Sequence, residues 1–255
     1  MKFDNYIGID YSGAKTVESR LKGLQVYEAT QDEQPAKITT PAQGVKNWSR
    51  FEVAQYCKNV LESDEISIIG IDHGFSFPID YMKRYGINSW DDFLLDFVRH
   101  WPTAEPLTRV DSVRNNNPRI GEAKELRLCE EWTATAKSVF MFDVQGSVAK
   151  STHSGLPWLL WLREIPTFRE RVHFWPFDGF DVPDDKSVIV EAYPALYKRR
   201  FCKQGRNPDE HDAWSISAWL KEADRREILD RYFNPPLMLD ELKKAKLEGW
   251  ILGVC

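Results

Sequence analysis

Three segments of this chain run apolar and then stop on an acid: NYIGID at Asn5–Asp10, ISIIGID at 66–72 and SVIVEAY at 187–193, with Asp10, Asp72 and Glu191 as the acids. A nearly continuous run of branched aliphatic residues predicts a strand covered on both faces, as in a parallel sheet flanked by helices. This pattern restricts the fold to an α/β architecture, and it also puts charge in an unusual place. As parallel neighbours, the three strands would bring their carboxyl ends to one edge of the sheet. Open α/β folds bind ligands at that edge, and the acids are expected to converge there.

The 255 residues suit a single domain over 1–255 that buries a sizeable core without disulfide or metal. A hydrophobic share of 42%, with only 14 Gly and 14 Pro, excludes collagen-like and disordered classes. With 34 basic against 39 acidic residues the net charge is −5, which argues against coating nucleic acid by bulk electrostatics but leaves room for a local basic groove. The opening MKFDNYIGID lacks the apolar stretch of an export signal, and no segment approaches the roughly 20 apolar residues of a membrane span, so a cytoplasmic location without a membrane anchor is expected. Cys57, Cys129, Cys202 and Cys255 lie far apart, with no Cys-x-x-Cys pair and no His at zinc-finger spacing, which predicts reduced thiols and no structural zinc.

Periodicity and punctuation predict strands at Asn5–Asp10, 23–29 and 36–39 as an antiparallel meander, then a helix over 45–61 and a central strand over 66–72. The segment 73–185 reads as an insertion between the fourth and fifth core strands that shapes a substrate groove, with helices at 90–100, 121–135 and 156–164 and a strand at 139–144. A buried strand at 187–193 precedes a helix that Asp209 would cap and that runs to about 223. A short helix at 239–247 and a closing strand at 250–254 complete the chain. The expected sheet is mixed and five-stranded, its first three strands antiparallel and its fourth and fifth parallel to the first, with helices on both faces.

In Asp209-Glu-His-Asp212 two aspartates three apart share one helix face near its positive end. Clustered carboxylates raise one another's pKa, a conflict that a divalent cation removes. Mg2+ and Mn2+ prefer oxygen ligands, and two such ions can activate water and clamp a phosphate, so acids without Cys or His favour phosphoryl chemistry. Each acid also has an ordinary reading. Asp10 or Asp72 alone suits a cap or turn after a strand, Glu191 an ion pair with Lys198, Arg199 or Arg200, and Asp209 plain N-capping.

The segments IGIDYSGA at 7–14, IGIDHGFSFP at 69–78, VEAYPAL at 190–196 and DEHDAWSISAWL at 209–220 resemble domain-of-unknown-function family 429, described as predicted nucleases of the ribonuclease-H-like fold. The order of meander, helix, strand, long insertion, strand and helix is similar to that fold, and the D-x-x-D helix resembles the last acidic helix of bacterial Holliday-junction resolvases. The resemblance implies that Asp10 bridges two metal ions, that Asp72 holds one, and that Asp212 with Asp209 completes the second. Glu191 matches the family's strand-ending acid.

Beside these acids, Lys198, Arg199, Arg200, Lys203 and Arg206 can neutralise phosphates, and Arg109, Arg114 and Arg119 can form a second wall; either set is equally compatible with a solvated, salt-bridged face. The loop 145–157 is rich in donors, and its Lys150, Ser151, Thr152 and His153 would precede a helix N-terminus, although Ala149 stands where a P-loop needs Gly. His211 reads as a proton shuttle or an ordinary helix residue, and the tryptophans as core. The expected function is a Mg2+- or Mn2+-dependent nuclease acting on nucleic acid, with catalytic Asp10, Asp72, Glu191 and Asp212, metal ligands Asp10, Asp72, Asp209 and Asp212, and substrate contacts from Lys150, Arg199 and Arg200. The alternatives are an ATP-using enzyme of the actin, Hsp70 and sugar-kinase superfamily, suggested by Asp10-Tyr-Ser-Gly13, and a non-catalytic binding module of the same fold.

Overall fold

Residues of alternate parity in the apolar runs feed two separate cores. Ile7, Ile9, Ile69, Ile71 and Ile189 belong to one, while Tyr6, Ile68, Val188 and Val190 belong to the other. A strand that must satisfy a core on each face cannot carry polar residues before its end, which is why these runs stop on a charge only at the edge. The computed structural model describes residues 1–133, 135–144 and 146–255. Ala134, inside the helix expected at 121–135, and Gln145, the first residue of the donor-rich loop, lie outside the described residues.

The chain opens with β1 (Asn5–Asp10), β2 (Gln25–Thr30) and the short β3 (Ala36–Lys37), then α1 (Arg50–Glu62) and β4 (Ser67–Asp72). Next come α2 (Ile79–Tyr85), α3 (Trp90–His100), α4 (Val110–Arg114), α5 (Leu128–Glu131), α6 (Ala149–Arg163), α7 (Phe168–Arg171) and β5 (Val172–Phe174). The chain ends with β6 (Ser187–Glu191), two 3-10 turns at Pro194–Leu196 and Lys198–Arg200, α8 (Pro208–Arg225), α9 (Leu229–Phe233) and α10 (Leu239–Glu248). The protein is α/β with one mixed sheet of six strands in the order β3-β2-β1-β4-β6-β5. β1 to β3 are antiparallel, and β4, β6 and β5 run parallel to β1. The sixth strand is a correction to the expected five. β5 has three residues, too few to show a period, and it adds an edge beside β6 from within the segment read as an insertion.

Helix α8 lies directly on β1 and β4 because glycines face it. A Cβ on Gly8 would sit 2.1 Å from the Ala213 carbonyl oxygen, and one on Gly70 would sit 2.6 Å from Ile216 Cγ2. Gly8 and Gly70 are register partners, as are Asp10 and Asp72 two residues later on the same face. On the opposite face α1, α3 and α6 cover Ile7, Ile69 and Ile189 through residues such as Val53, Phe97 and Leu156.

Several boundaries depart from expectation for local reasons. Ser49 and Glu52 form a capping box that starts α1 at Arg50 rather than 45, and Asn207, not Asp209, caps α8 by accepting from the Glu210 N–H. α6 begins at Ala149, upstream of the expected 156, with Pro157 inside it. The His153 carbonyl that Pro157 leaves free accepts instead from the Thr103 hydroxyl. Residues 139–144 form turns, with Met141 N–H donating to the Ser138 carbonyl at 3.0 Å, and among the described residues of the helix expected at 121–135 only Leu128–Glu131 is helical. The expected closing strand reduces to one parallel bridge between Ile251 and Glu191. Among the described residues no helix is long and apolar enough to cross a membrane.

Candidate metal centre

The carboxyl ends of β1 and β4 and the first turns of α8 meet at a cavity of about 580 Å³ whose lining includes Asp10, Asp72, Asp209 and Asp212. One carboxylate oxygen from each of Asp10, Asp72 and Asp212 lies within 4.8 Å of the others, a spacing that suits ligands of one cation. The register pair supplies two, and α8, held close by the glycines, brings the third. The D-x-x-D spacing puts Asp209 on the same cavity one turn earlier.

Electrostatics follow from this crowding. Burial, then the charges of Asp72, Asp209 and Asp212, hold Asp10 well above the usual carboxylate range, against a downward pull from Lys198. Burial and then Asp212 push Asp72 up to about 8, again opposed by Lys198. Asp209 is raised by burial and by Asp212. Such a cluster is strained as bare anions and suited to a hard cation. Its donors are all oxygen, which fits Mg2+ or Mn2+ rather than a metal that selects sulfur or imidazole.

Glu191 does not join these acids. In the β4–β6 register it pairs with Ile71, so the residue beside Asp72 is Ala192, and Glu191 falls one residue short and on the opposite face. There it is spoken for. Arg127 Nη1 and Nη2 donate to its two oxygens at 2.7 and 2.6 Å, and the Phe75 N–H donates at 2.9 Å. The expected partners Lys198, Arg199 and Arg200 are elsewhere. The Arg127 Nε donates to Glu130 at 2.9 Å, making a buried charged cluster in the cavity wall. Nothing in the sequence around Arg127 marks it for this role.

The expected substrate contacts also move. Lys150 pairs with Asp111 at 2.8 Å and is not among the residues lining the cavity; Arg200 pairs with Glu222 at 2.7 Å, and Arg199 is exposed. Arg114 and Arg119 are engaged by Asp143 and Asp96, and Arg109 caps α4. Besides Arg127, the cations at the site among the described residues are Lys198, whose Nζ lies 2.7 Å from Asp212 Oδ2, and Lys137 in the cavity wall. Lys137 carries no sequence signal at all. His211 is buried, its Nε2 lying 3.2 Å from the Lys198 carbonyl oxygen, which suits a structural role.

The first turn of α6 opens on the same cavity through Ser147, Val148 and Ser151, so residues expected to precede a helix instead form its start. Its leading N–H groups have no acceptor within the helix. The Gly74 N–H donates to Thr152 Oγ1 at 2.9 Å and ties this turn to the exit of β4. His73, beside Asp72, is packed edge-on against Tyr11, and burial pushes it down to about 4, which keeps it neutral.

No protein-family model, curated protein or solved structure matches the chain.

Proposed function

We propose that the protein is a divalent-metal-dependent nuclease of the ribonuclease-H-like class, hydrolysing phosphodiester bonds in nucleic acid. The observation that carries this reading is the convergence of Asp10, Asp72 and Asp212, with ligand oxygens within 4.8 Å of one another, at the carboxyl edge of the sheet. The order β3-β2-β1-β4-β6, antiparallel through the first three strands and parallel beyond, supports the fold assignment, with β5 as an added edge.

Asp10, Asp72 and Asp212 would hold Mg2+ or Mn2+, and Asp209, on the same cavity, would serve a second ion. A bound ion supplies Lewis acidity at a phosphoryl oxygen and a water of lowered pKa. The chain's own groups bind and orient. The open N–H groups of α6 and the hydroxyl of Ser147 offer donors to a phosphate, and Lys137 and Lys198 offset its charge beside the acids. Arg127 keeps Glu191 turned away from the ion and locks the cavity wall to the end of β6.

The test is calorimetric titration of Mn2+ into the wild type, Asp10→Asn and Asp72→Asn, followed by Mn2+-dependent cleavage of single-stranded, duplex and branched oligonucleotides. Binding and cleavage that both substitutions remove support the reading. Cleavage that survives Asp10→Asn overturns it, and metal-independent binding of oligonucleotide without cleavage points to a non-catalytic module.

A further inference from the structure

Lys198 sits among the acids without being needed to hold its own backbone in place. The Tyr197–Arg200 segment is fixed on α8 at both flanks: the Tyr197 ring stacks on Trp219 with centroids 4.6 Å apart, and Arg200 pairs with Glu222 at 2.7 Å. The ammonium of Lys198 reaches from this anchored segment to Asp212, a member of the carboxylate triad. Its side chain is 35% exposed against 18% for Asp212, so the head group has a path to water along a flexible stem. Its charge stands against those of Asp10, Asp72 and Asp209 as well.

The residue before Lys198 is the buried Tyr197. It is 3% exposed and its hydroxyl has no hydrogen-bond partner, although the phenol lies within the field of Asp72 and Asp212.

We infer that Lys198 is the resident counter-ion of this site, that a divalent cation displaces its ammonium from Asp212, and that loading the ion thereby frees a positive charge beside it for an anionic substrate. The inference rests on the divalent-metal reading above. An ammonium and a divalent ion on one carboxylate repel each other strongly at contact distance, whereas the Lys198–Asp212 pair is partly exposed and opens at modest cost. The stacked and paired flanks keep the segment in place when the pair opens.

The experiment titrates Mn2+ calorimetrically into the wild type, Lys198→Met and Lys203→Met, and separately measures reductive methylation of each lysine in the wild type by mass spectrometry, with and without saturating Mn2+. Lys203 is exposed and serves as the charge control. Lys198→Met should bind Mn2+ about two- to fivefold more tightly, the range expected when a partly exposed ion pair no longer competes, and Lys203→Met should not. Methylation of Lys198 in the wild type should rise with Mn2+ while that of Lys203 stays constant. Mn2+ binding that depends on Asp10 and Asp72, with no tightening in Lys198→Met and unchanged labelling of Lys198, overturns the inference and leaves the metal reading intact. Absence of Mn2+ binding that depends on Asp10 and Asp72 defeats both.

Discussion

Arg127 grips Glu191 with both arms of its guanidinium, at 2.6 and 2.7 Å, in a cluster where the arginine is 1% and the glutamate 3% exposed. This pair joins the segment between β4 and β6 to the end of β6, one residue from the strand position that neighbours Asp72. It explains how an acid at a strand end can be fully used without joining the carboxylate triad.

Breaking that pair from one side should therefore be costly. Arg127→Met leaves Glu191 and Glu130 buried without their cation and should destabilise the fold by about 3–5 kcal/mol, read from urea or thermal unfolding. Loss of less than about 1 kcal/mol would mean that water reaches the cluster and compensates it.

The raised carboxyls make stability depend on pH in the metal-free protein. Asp72, pushed up to about 8, and Asp10, raised well above the usual range, bind protons more tightly folded than unfolded. The contribution of Asp72 is complete below the unfolded aspartate value of about 4 and is lost as pH rises through about 8, and that of Asp10 is lost in the same direction as pH rises through its own raised value. Thermal unfolding in EDTA should show the midpoint falling between pH 5 and 8, a decline that Asp72→Asn flattens. Added Mn2+ competes with these protons and should raise the midpoint more at pH 8 than at pH 6. An equal effect at both values would separate the ion from these groups.

Asp10, Asp72 and Asp212 were legible because each sits at a place the local pattern marks: two at the ends of strands buried on both faces, one on an amphipathic helix at D-x-x-D spacing. Glu191 presents the same local pattern and has a different fate, because its face is set by the register of β6 against β4, a relation between strands far apart in sequence. Lys150 was misplaced because 145–157 reads as a loop ahead of a helix at 156–164, whereas α6 runs through Pro157 with the freed His153 carbonyl accepting from the Thr103 hydroxyl. Arg127 and Lys137 reach the cavity through long-range folding of the segment after β4, and nothing in their neighbours announces it. β5 is too short for any periodicity to reveal.

The glycine contact between β1 and α8 should matter to the site as much as to the core. Gly8→Ala forces a methyl against the Ala213 carbonyl, main chain that cannot rotate aside, so α8 must shift away from the sheet. The cost should be about 1–3 kcal/mol in unfolding free energy. Asp212 moves with α8, and Mn2+ affinity should fall by about tenfold or more, the scale on which disturbed ligand orientation acts. A Gly8→Ala protein that is destabilised yet binds Mn2+ as the wild type does would show that Asp212 is not a ligand.

Tyr197 separates stability from ion binding. Its hydroxyl has no partner, so Tyr197→Phe removes an unsatisfied buried group while keeping the ring stacked on Trp219, and unfolding free energy should change by less than about 1 kcal/mol or rise slightly. The same substitution takes away an uncharged hydroxyl that lies within the field of Asp72 and Asp212. If that hydroxyl orients a water on the ion, calorimetry should show Mn2+ affinity falling by about tenfold with the fold intact. Unchanged affinity would assign the tyrosine to packing alone, since the stacked ring is preserved in the variant and only the oxygen is lost.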